Sequence, residues 1–152
     1  MNSWRGKYEQ DEKLMPVTYR DATFEEIISI LKEPIVSNPF CHVELNTNDV
    51  KKAKDFYGKL FDWKLEDIPG DYTMIGVGEG TGGGMMKNPI PGAPSFWLSY
   101  VLVDDIEAAT KKAKSLGAKV MKDVTKVSDF GWLSIITDPT GAPLGLWKAN
   151  QK

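Results

Sequence analysis

The stretch Phe40–Leu60, FCHVELNTNDVKKAKDFYGKL, is matched in outline 56 residues later by Phe96–Leu116, FWLSYVLVDDIEAATKKAKSL. The two stretches carry the same kinds of residue at equivalent positions, including the pairs Phe40/Phe96, Asp49/Asp105, Ala53/Ala109 and Leu60/Leu116. Similarity at a fixed period is the sequence signature of a repeated structural unit. We therefore interpret this part of the chain as a tandem duplication.

Each copy shows the same order of predicted elements. A strand rich in aromatic and β-branched residues comes first, at 40–47 or 96–103, and Asn48 or Asp104 is then placed to cap a helix. In the first copy the helix carries an apolar stripe at i, i+3, i+4, i+7 and i+8. Three shorter strands follow in each copy, predicted at 63–66, 72–77 and 84–87, and at 118–122, 132–137 and 143–148.

These elements define two βαβββ modules, at residues 39–88 and 95–150, joined by the proline-rich segment NPIPGAPS. We predict an α+β domain over residues 39–150, in which the modules form a curved mixed sheet around a cleft. Residues 1–38 have no counterpart in the repeat. There the capping box at 23–26 predicts one short helix in an N-terminal arm that packs on its own domain or on a partner. A loosely ordered extension, with translation starting at Met15, is the alternative.

Composition excludes several functions. The net charge of −2 gives no field that would favour nucleic acid, and the lysine-rich segments have the spacing of solvated helix faces. No apolar run reaches the ~20 residues that a membrane span needs, and the polar N-terminus does not resemble a signal peptide. We therefore expect no nucleic-acid partner, no membrane and a cytoplasmic location. The single cysteine, Cys41, excludes an internal disulfide.

Two motifs within this layout indicate a family. They are a helix of the form Asp-x-x-x-Ala-x-x-Phe-Tyr, beginning at Asp49, and an Asp-Pro-x-Gly turn beginning at Asp138. Together with the tandem modules they resemble the vicinal-oxygen-chelate superfamily, which includes glyoxalase I, bleomycin- and fosfomycin-resistance proteins and extradiol dioxygenases. The resemblance covers residues 39–148 and is strongest to small glyoxalase-like proteins. It implies the fold without fixing one activity, because the superfamily contains isomerases, ring-cleaving enzymes and drug-binding proteins.

The resemblance allows a test for a metal site. In metal-dependent members the first and fourth strands of each module supply one ligand apiece, and the corresponding residues here are His42, Gly84, Leu98 and Gly145. A transition metal requires three or four N, O or S donors, and glycine and leucine side chains have none. Recruiting Glu44, two residues from His42 on the same strand face, gives only two donors. We predict no metal and no cofactor.

The cleft lining follows from strand alternation. In the first strand Cys41, Val43 and Leu45 are expected to face the helix, which turns the polar residues between them toward the cleft. The predicted ligand-binding set is His42, Glu44, Asn46, Leu98, Tyr100, Trp132 and Trp147. One polar wall and one apolar wall suit a small amphipathic or aromatic molecule. His42 and Glu44 are the candidate catalytic pair, because a histidine near a carboxylate can act as a general base.

The favoured hypothesis is thus a glyoxalase- or bleomycin-resistance-like protein that binds a small molecule without a metal, for sequestration or sensing. Two alternatives stay open: a metal-dependent lyase, isomerase or dioxygenase of the same superfamily, and a non-catalytic scaffold or subunit. Whether the protein is an enzyme is left undecided. The resemblance also makes a homodimer a reasonable expectation.

Overall fold

The computed structural model describes residues 38–150, which form one eight-stranded mixed sheet and two helices. The first module contains β1 (Phe40–Thr47), α1 (Val50–Leu60), β2 (Lys64–Ile68), β3 (Tyr72–Gly76) and β4 (Gly83–Lys87). The second contains β5 (Phe96–Leu102), α2 (Ile106–Ser115), β6 (Lys119–Val127), β7 (Gly131–Thr137) and β8 (Pro143–Ala149). The predicted α+β architecture of two βαβββ modules is confirmed.

The two modules meet at the centre of the sheet. The strand order is β2-β3-β4-β1-β5-β8-β7-β6, and β1 pairs antiparallel with β5. Within each module the first strand pairs in parallel with the fourth, β1 with β4 and β5 with β8. His42 is therefore opposite Tyr100, and Glu44 is opposite Leu98. This register brings His42 and Glu44 of the first module directly against the second module.

Each helix covers an apolar cluster on the sheet. Leu45, Ile75 and Met85 form the buried cluster beside α1, and Val103, Ile106 and Leu146 form the cluster of the second module. Because side chains alternate along a strand, burying Leu45 on the helix side turns Glu44 and Asn46 to the opposite face. The helix-side packing thus fixes which residues are available to the cleft.

The helix caps differ by one residue from the prediction. Asp49 and Asp105 are the N-caps, and their carboxylates accept hydrogen bonds from the backbone N–H groups of Lys52 and Ala108, each at 2.9 Å. The prediction that Asn48 and Asp104 cap the helices is wrong, because the helices begin one residue later. The Asn48 side chain instead donates to the carbonyl of Ala93, in the segment between the modules.

Strand β6 extends beyond the predicted residue 122 to Val127, because its pairing with β7 continues through two shifts of register. The N-terminal arm and its predicted helix lie in residues 1–37, outside the described residues, so they remain predictions. Within residues 38–150 no helix is long and apolar enough to cross a membrane.

Candidate functional site

A cavity of about 610 Å³ lies between the two modules. Its wall includes residues from β1, β3, β5, β7 and β8, from the β2–β3 turn and from the end of β6 and the turn after it. The lining residues are Cys41, His42, Glu44, Ile68, Pro69, Gly70, Tyr72, Met74, Tyr100, Leu102, Val127, Ser128, Phe130, Leu133, Trp147 and Ala149. Both modules are needed to form it.

A buried carboxylate organises the polar part of this cavity. The Tyr72 hydroxyl donates to Glu44 Oε2 at 3.1 Å, and the Tyr100 hydroxyl donates to Glu44 Oε1 at 3.2 Å. Asn46 Nδ2 also donates to Oε1, at 3.2 Å. Three donors therefore compensate the charge of a side chain that is largely removed from water.

His42 extends the same network. Its Nε2 lies 2.7 Å from the Tyr72 hydroxyl, and its ring stands edge-on to Tyr100 with the ring centroids 6.0 Å apart. We call His42, Glu44, Tyr72 and Tyr100 the polar floor of the cavity. These four side chains come from β1, β3 and β5, so their approach depends on the register of the sheet.

Burial determines the protonation of the floor. It lowers the pKa of His42 below its usual value of 6.5, against the opposing influence of negatively charged Glu44, so the imidazole is neutral near neutral pH. Burial raises the pKa of Tyr72 and of Tyr100, and the charge of Glu44 raises both further. Both phenols consequently keep their protons at any physiological pH.

Two glycines make room for the tyrosines. A Cβ atom on Gly84 would overlap the ring of Tyr72, and a Cβ atom on Gly145 would overlap the ring of Tyr100. These glycines occupy the fourth-strand positions, paired with Glu44 on β1 and with Tyr100 on β5. The space that a longer side chain would use at each position is therefore filled by a phenol ring.

The residues present do not fit a transition metal. Of the four family ligand positions only His42 has a donor, and Glu44 beside it is already hydrogen-bonded by three groups. No cluster of three or more His, Cys, Asp or Glu side chains that could hold an ion occurs within residues 38–150. The donor set falls short of the three or four ligands that such an ion needs.

The structure brings together four of the seven predicted ligand-binding residues, because His42, Glu44, Tyr100 and Trp147 all line the cavity. The other three do not line it: Asn46 is buried and bonded to Glu44, Leu98 is buried opposite Glu44 on β5, and Trp132 packs against the apolar cluster beside α2.

Cys41 departs from the predicted alternation. It is among the cavity-lining residues, at a point where the pairing of β1 with β5 shifts between Phe40 and His42. Its thiol donates to the Tyr100 carbonyl at 3.5 Å, and burial raises its pKa, which makes it a poor nucleophile at neutral pH.

Sequence reasoning missed Tyr72, which is central to the floor, and the apolar residues Met74, Phe130 and Leu133. A usable signal for Tyr72 existed in Gly84, since a glycine on a neighbouring strand leaves a gap that a large side chain can fill. No comparable signal marks Phe130, because it enters the cavity from a turn whose path is set by the extension of β6.

The fold and this site define a cleft protein made of two βαβββ modules, with a cavity at the junction of the modules. The chain belongs to the Glyoxalase/Bleomycin resistance protein/Dioxygenase superfamily, whose sequence profile matches residues 40–146. The resemblance predicted from the two motifs is confirmed.

Two curated relatives are similar to this protein over about seven-tenths of the chain. The protein named "Putative glyoxylase CFP32" in Mycobacterium tuberculosis is 39% identical over 118 residues, which cover 72% of this chain and 45% of that protein. The anthracycline biosynthesis protein DnrV of Streptomyces peucetius is 25% identical over 123 residues, which cover 69% of this chain and 45% of its own length. The chain thus spans less than half the length of these relatives.

Solved structures share the fold at low identity. A hypothetical protein from Bacillus halodurans has a TM-score of 0.60 at 16% identity, covering 76% of this chain and 97% of that one. A methylmalonyl-CoA epimerase from Mycobacterium tuberculosis has a TM-score of 0.58 at 15% identity, with coverage of 74% and 88%. The Mn(II)-bound glyoxalase of Novosphingobium aromaticivorans has a TM-score of 0.55 at 14% identity, with coverage of 76% and 40%.

Proposed function

We propose that this protein binds a small aromatic or amphipathic molecule in the cavity between its modules and does so without a metal ion. The observation that carries the proposal is the pair of tyrosine rings seated over Gly84 and Gly145. They occupy the space of the missing fourth-strand ligands while leaving an open cavity of about 610 Å³ beside them. A volume in the range of roughly 300–1,000 Å³ is usual for small-molecule sites.

The composition of the wall supports an aromatic ligand. Met74, Phe130, Leu133 and Trp147 provide apolar surface above the polar floor. Aromatic side chains stack on flat ligands, and methionine adapts to their edges. Phe130 is 64% exposed on the turn after β6, so a bound molecule would bury apolar surface that is now in water.

The names of the relatives are compatible with this proposal. DnrV is named for anthracycline biosynthesis, and anthracyclines are fused-ring aromatic compounds. The other relative is named as a glyoxylase, which leaves a catalytic role open. Because this chain covers 45% of each of these relatives, their complete activities are not transferred to it.

A ligand screen with a matched pair of variants tests binding. We expect fused-ring aromatic compounds to raise the melting temperature of the wild type, and Trp147→Ala to weaken their binding about tenfold by removing a stacking surface. Met121→Ala is the control, since Met121 is 63% exposed on β6 and does not line the cavity. If no compound binds, the scaffold alternative replaces the proposal.

A second experiment tests whether ligand binding is independent of a metal ion. Affinity for a bound compound should be the same after dialysis against a chelator and after addition of Zn²⁺, Ni²⁺, Mn²⁺ or Fe²⁺. Elemental analysis of untagged protein should show none of these ions in stoichiometric amount. A stoichiometric ion, or affinity that returns only with a metal, would favour the metal-dependent enzyme. A cytoplasmic location and a homodimer stay predictions, to be tested by fractionation and sedimentation.

A further inference from the structure

The hydrogen-bond directions in the polar floor can be assigned from its chemistry. An ionised carboxylate accepts hydrogen bonds and cannot donate them. Tyr72 and Tyr100 both approach Glu44, at 3.1 and 3.2 Å, so each phenol proton points at a carboxylate oxygen. Each hydroxyl has a single proton, and that proton is consequently unavailable to a ligand.

The tautomer of His42 follows from these directions. Tyr72 has already given its proton to Glu44, so the 2.7 Å contact between His42 Nε2 and the Tyr72 oxygen requires the histidine to donate. A neutral imidazole has one N–H, and this assignment places it on Nε2. Nδ1 is then an acceptor, and no group within residues 38–150 donates a hydrogen bond to it.

Every unused hydrogen-bonding position on the floor is therefore an acceptor. The unused positions are the lone pairs of His42 Nδ1, of the two phenol oxygens and of the Glu44 carboxylate. Glu44 is also the only formally charged side chain among the described residues that line the cavity. Among the described side chains of the wall, the donors without a partner are the indole N–H of Trp147 and the hydroxyl of Ser128, which is exposed after β6. Neither carries charge.

From this arrangement we infer that the ligand carries an aliphatic ammonium group on an aromatic body, and not a carboxylate or a phosphate ester. The inference rests on the proposed function, since it takes the cavity as the ligand site. An ammonium group has three donors and no acceptor, which complements the acceptors of the floor. Its charge is attracted by Glu44 in surroundings of low dielectric constant, and the rings of Tyr72, Tyr100 and Trp147 attract cations.

An anionic group meets the opposite conditions. A carboxylate or phosphate would be placed beside Glu44 without a lysine or arginine in the described lining to neutralise it. It would also find no donor on the floor, so its own acceptors would be desolvated without compensation. The indole N–H of Trp147 offers one neutral hydrogen bond, which does not offset like-charge repulsion.

Three compounds with one aromatic body and different polar ends test the inference. Naphthylmethylamine, naphthylmethanol and naphthoate are titrated into the protein by calorimetry at neutral pH and constant ionic strength. We expect the amine to bind at least about tenfold more tightly than the alcohol, and naphthoate to bind most weakly. Binding of naphthoate as tightly as the amine would overturn the inference.

Two variants test whether the charge of Glu44 causes the preference for the amine over the alcohol. Glu44→Gln removes the charge at nearly constant volume, and the ratio of amine to alcohol affinity should fall close to one. Glu66→Gln makes the same change of net charge on the surface, where the Glu66 side chain is 61% exposed, and should leave the ratio unchanged. If Glu44→Gln keeps the wild-type ratio of amine to alcohol affinity, the inference is contradicted. If that variant does not fold, the wild-type ranking of the three compounds decides.

The outcomes separate this inference from the proposed function. If naphthoate binds best, the cavity is a ligand site and only the ligand class is wrong. If none of the three compounds binds, the aromatic-ligand function is contradicted together with the inference.

Discussion

Tyr100 and Gly145 are paired across the parallel strands β5 and β8, and the tyrosine ring occupies the space where a Cβ atom of residue 145 would lie. The first module contains a related arrangement, in which the ring of Tyr72 lies over Gly84. Both phenols reach Glu44 from these positions. The glycines thus have a definite structural role, which is to leave room over the sheet for the two tyrosine rings, whose hydroxyls reach one carboxylate.

Gly145→Ala should destabilise the protein. The added methyl group overlaps the Tyr100 ring, which must move and loosen its hydrogen bond to Glu44. Overpacking of this kind typically costs about 1–3 kcal/mol, and we expect a loss of unfolding free energy in that range, measured by urea denaturation.

A double-mutant cycle with Tyr100→Ala separates steric overlap from a general effect of alanine at this position. Once the ring is absent, Gly145→Ala should cost less than it does in the wild type, giving a coupling of at least about 0.5 kcal/mol. Additive losses would show that the alanine acts elsewhere in the sheet.

Tyr72→Phe and Tyr100→Phe should each lower stability while retaining the ring. Each removes one hydrogen bond to the buried carboxylate of Glu44, and bonds to charged groups contribute about 1.5–3 kcal/mol. Tyr57→Phe is the matched control, because Tyr57 packs among the aromatic rings beside α1 and its hydroxyl has no partner within residues 38–150. Equal losses for all three variants would argue against a special role for the floor.

His42 makes stability depend on pH. Its pKa in the folded protein is lowered by burial, whereas in the unfolded chain it stays near 6.5. Below that pH the unfolded chain binds a proton that the folded protein resists, so the stability present above pH 6.5 is lost as the pH falls toward the folded-state pKa. The unfolding free energy should fall between about pH 7.5 and about pH 5, before most carboxylates titrate.

His42→Gln provides the reference for that measurement. Its amide can donate to Tyr72 but does not titrate, and His42 is the only histidine in the chain. The loss of stability over this pH range should therefore be smaller in the variant. If the unfolding free energy falls equally steeply with pH in the wild type and in His42→Gln, groups other than His42 cause the acid sensitivity.

Asp49→Ala should destabilise α1 by about 1 kcal/mol, the usual cost of removing an N-cap side chain, because the N–H of Lys52 loses its acceptor. Asp49→Asn retains a capping oxygen and should lose only a fraction of this amount. Chemical denaturation of the two variants measures the difference. A larger loss in Asp49→Asn than in Asp49→Ala would exclude capping as the cause.

The sequence alone was sufficient for the fold because each element has a local cause. The strand alternation around Leu45 and the helix stripe beginning at Ala53 depend on neighbouring residues, and the 56-residue repeat shows that the same local pattern occurs twice. The glycines at the fourth-strand positions are also visible in sequence, and their side chains offer no donor to a metal ion. The helix starts were misplaced by one residue, because Asn48 and Asp49 are both good capping residues and only backbone geometry distinguishes them.

Tertiary structure alone decided how the site is assembled. The convergence of Tyr72 and Tyr100 on Glu44 joins residues 28 and 56 positions distant from it, through the pairing of β1 with β4 and β5 and of β3 with β4. Phe130 enters the cavity from the turn that follows the register shifts in β6. The pairing of β7 with β8 places Leu133 at the cavity and leaves Trp132 against the apolar cluster beside α2. Periodicity shows on which face of its strand a side chain lies. The distances between strands, which determine what that side chain touches, are set only when the whole sheet has formed.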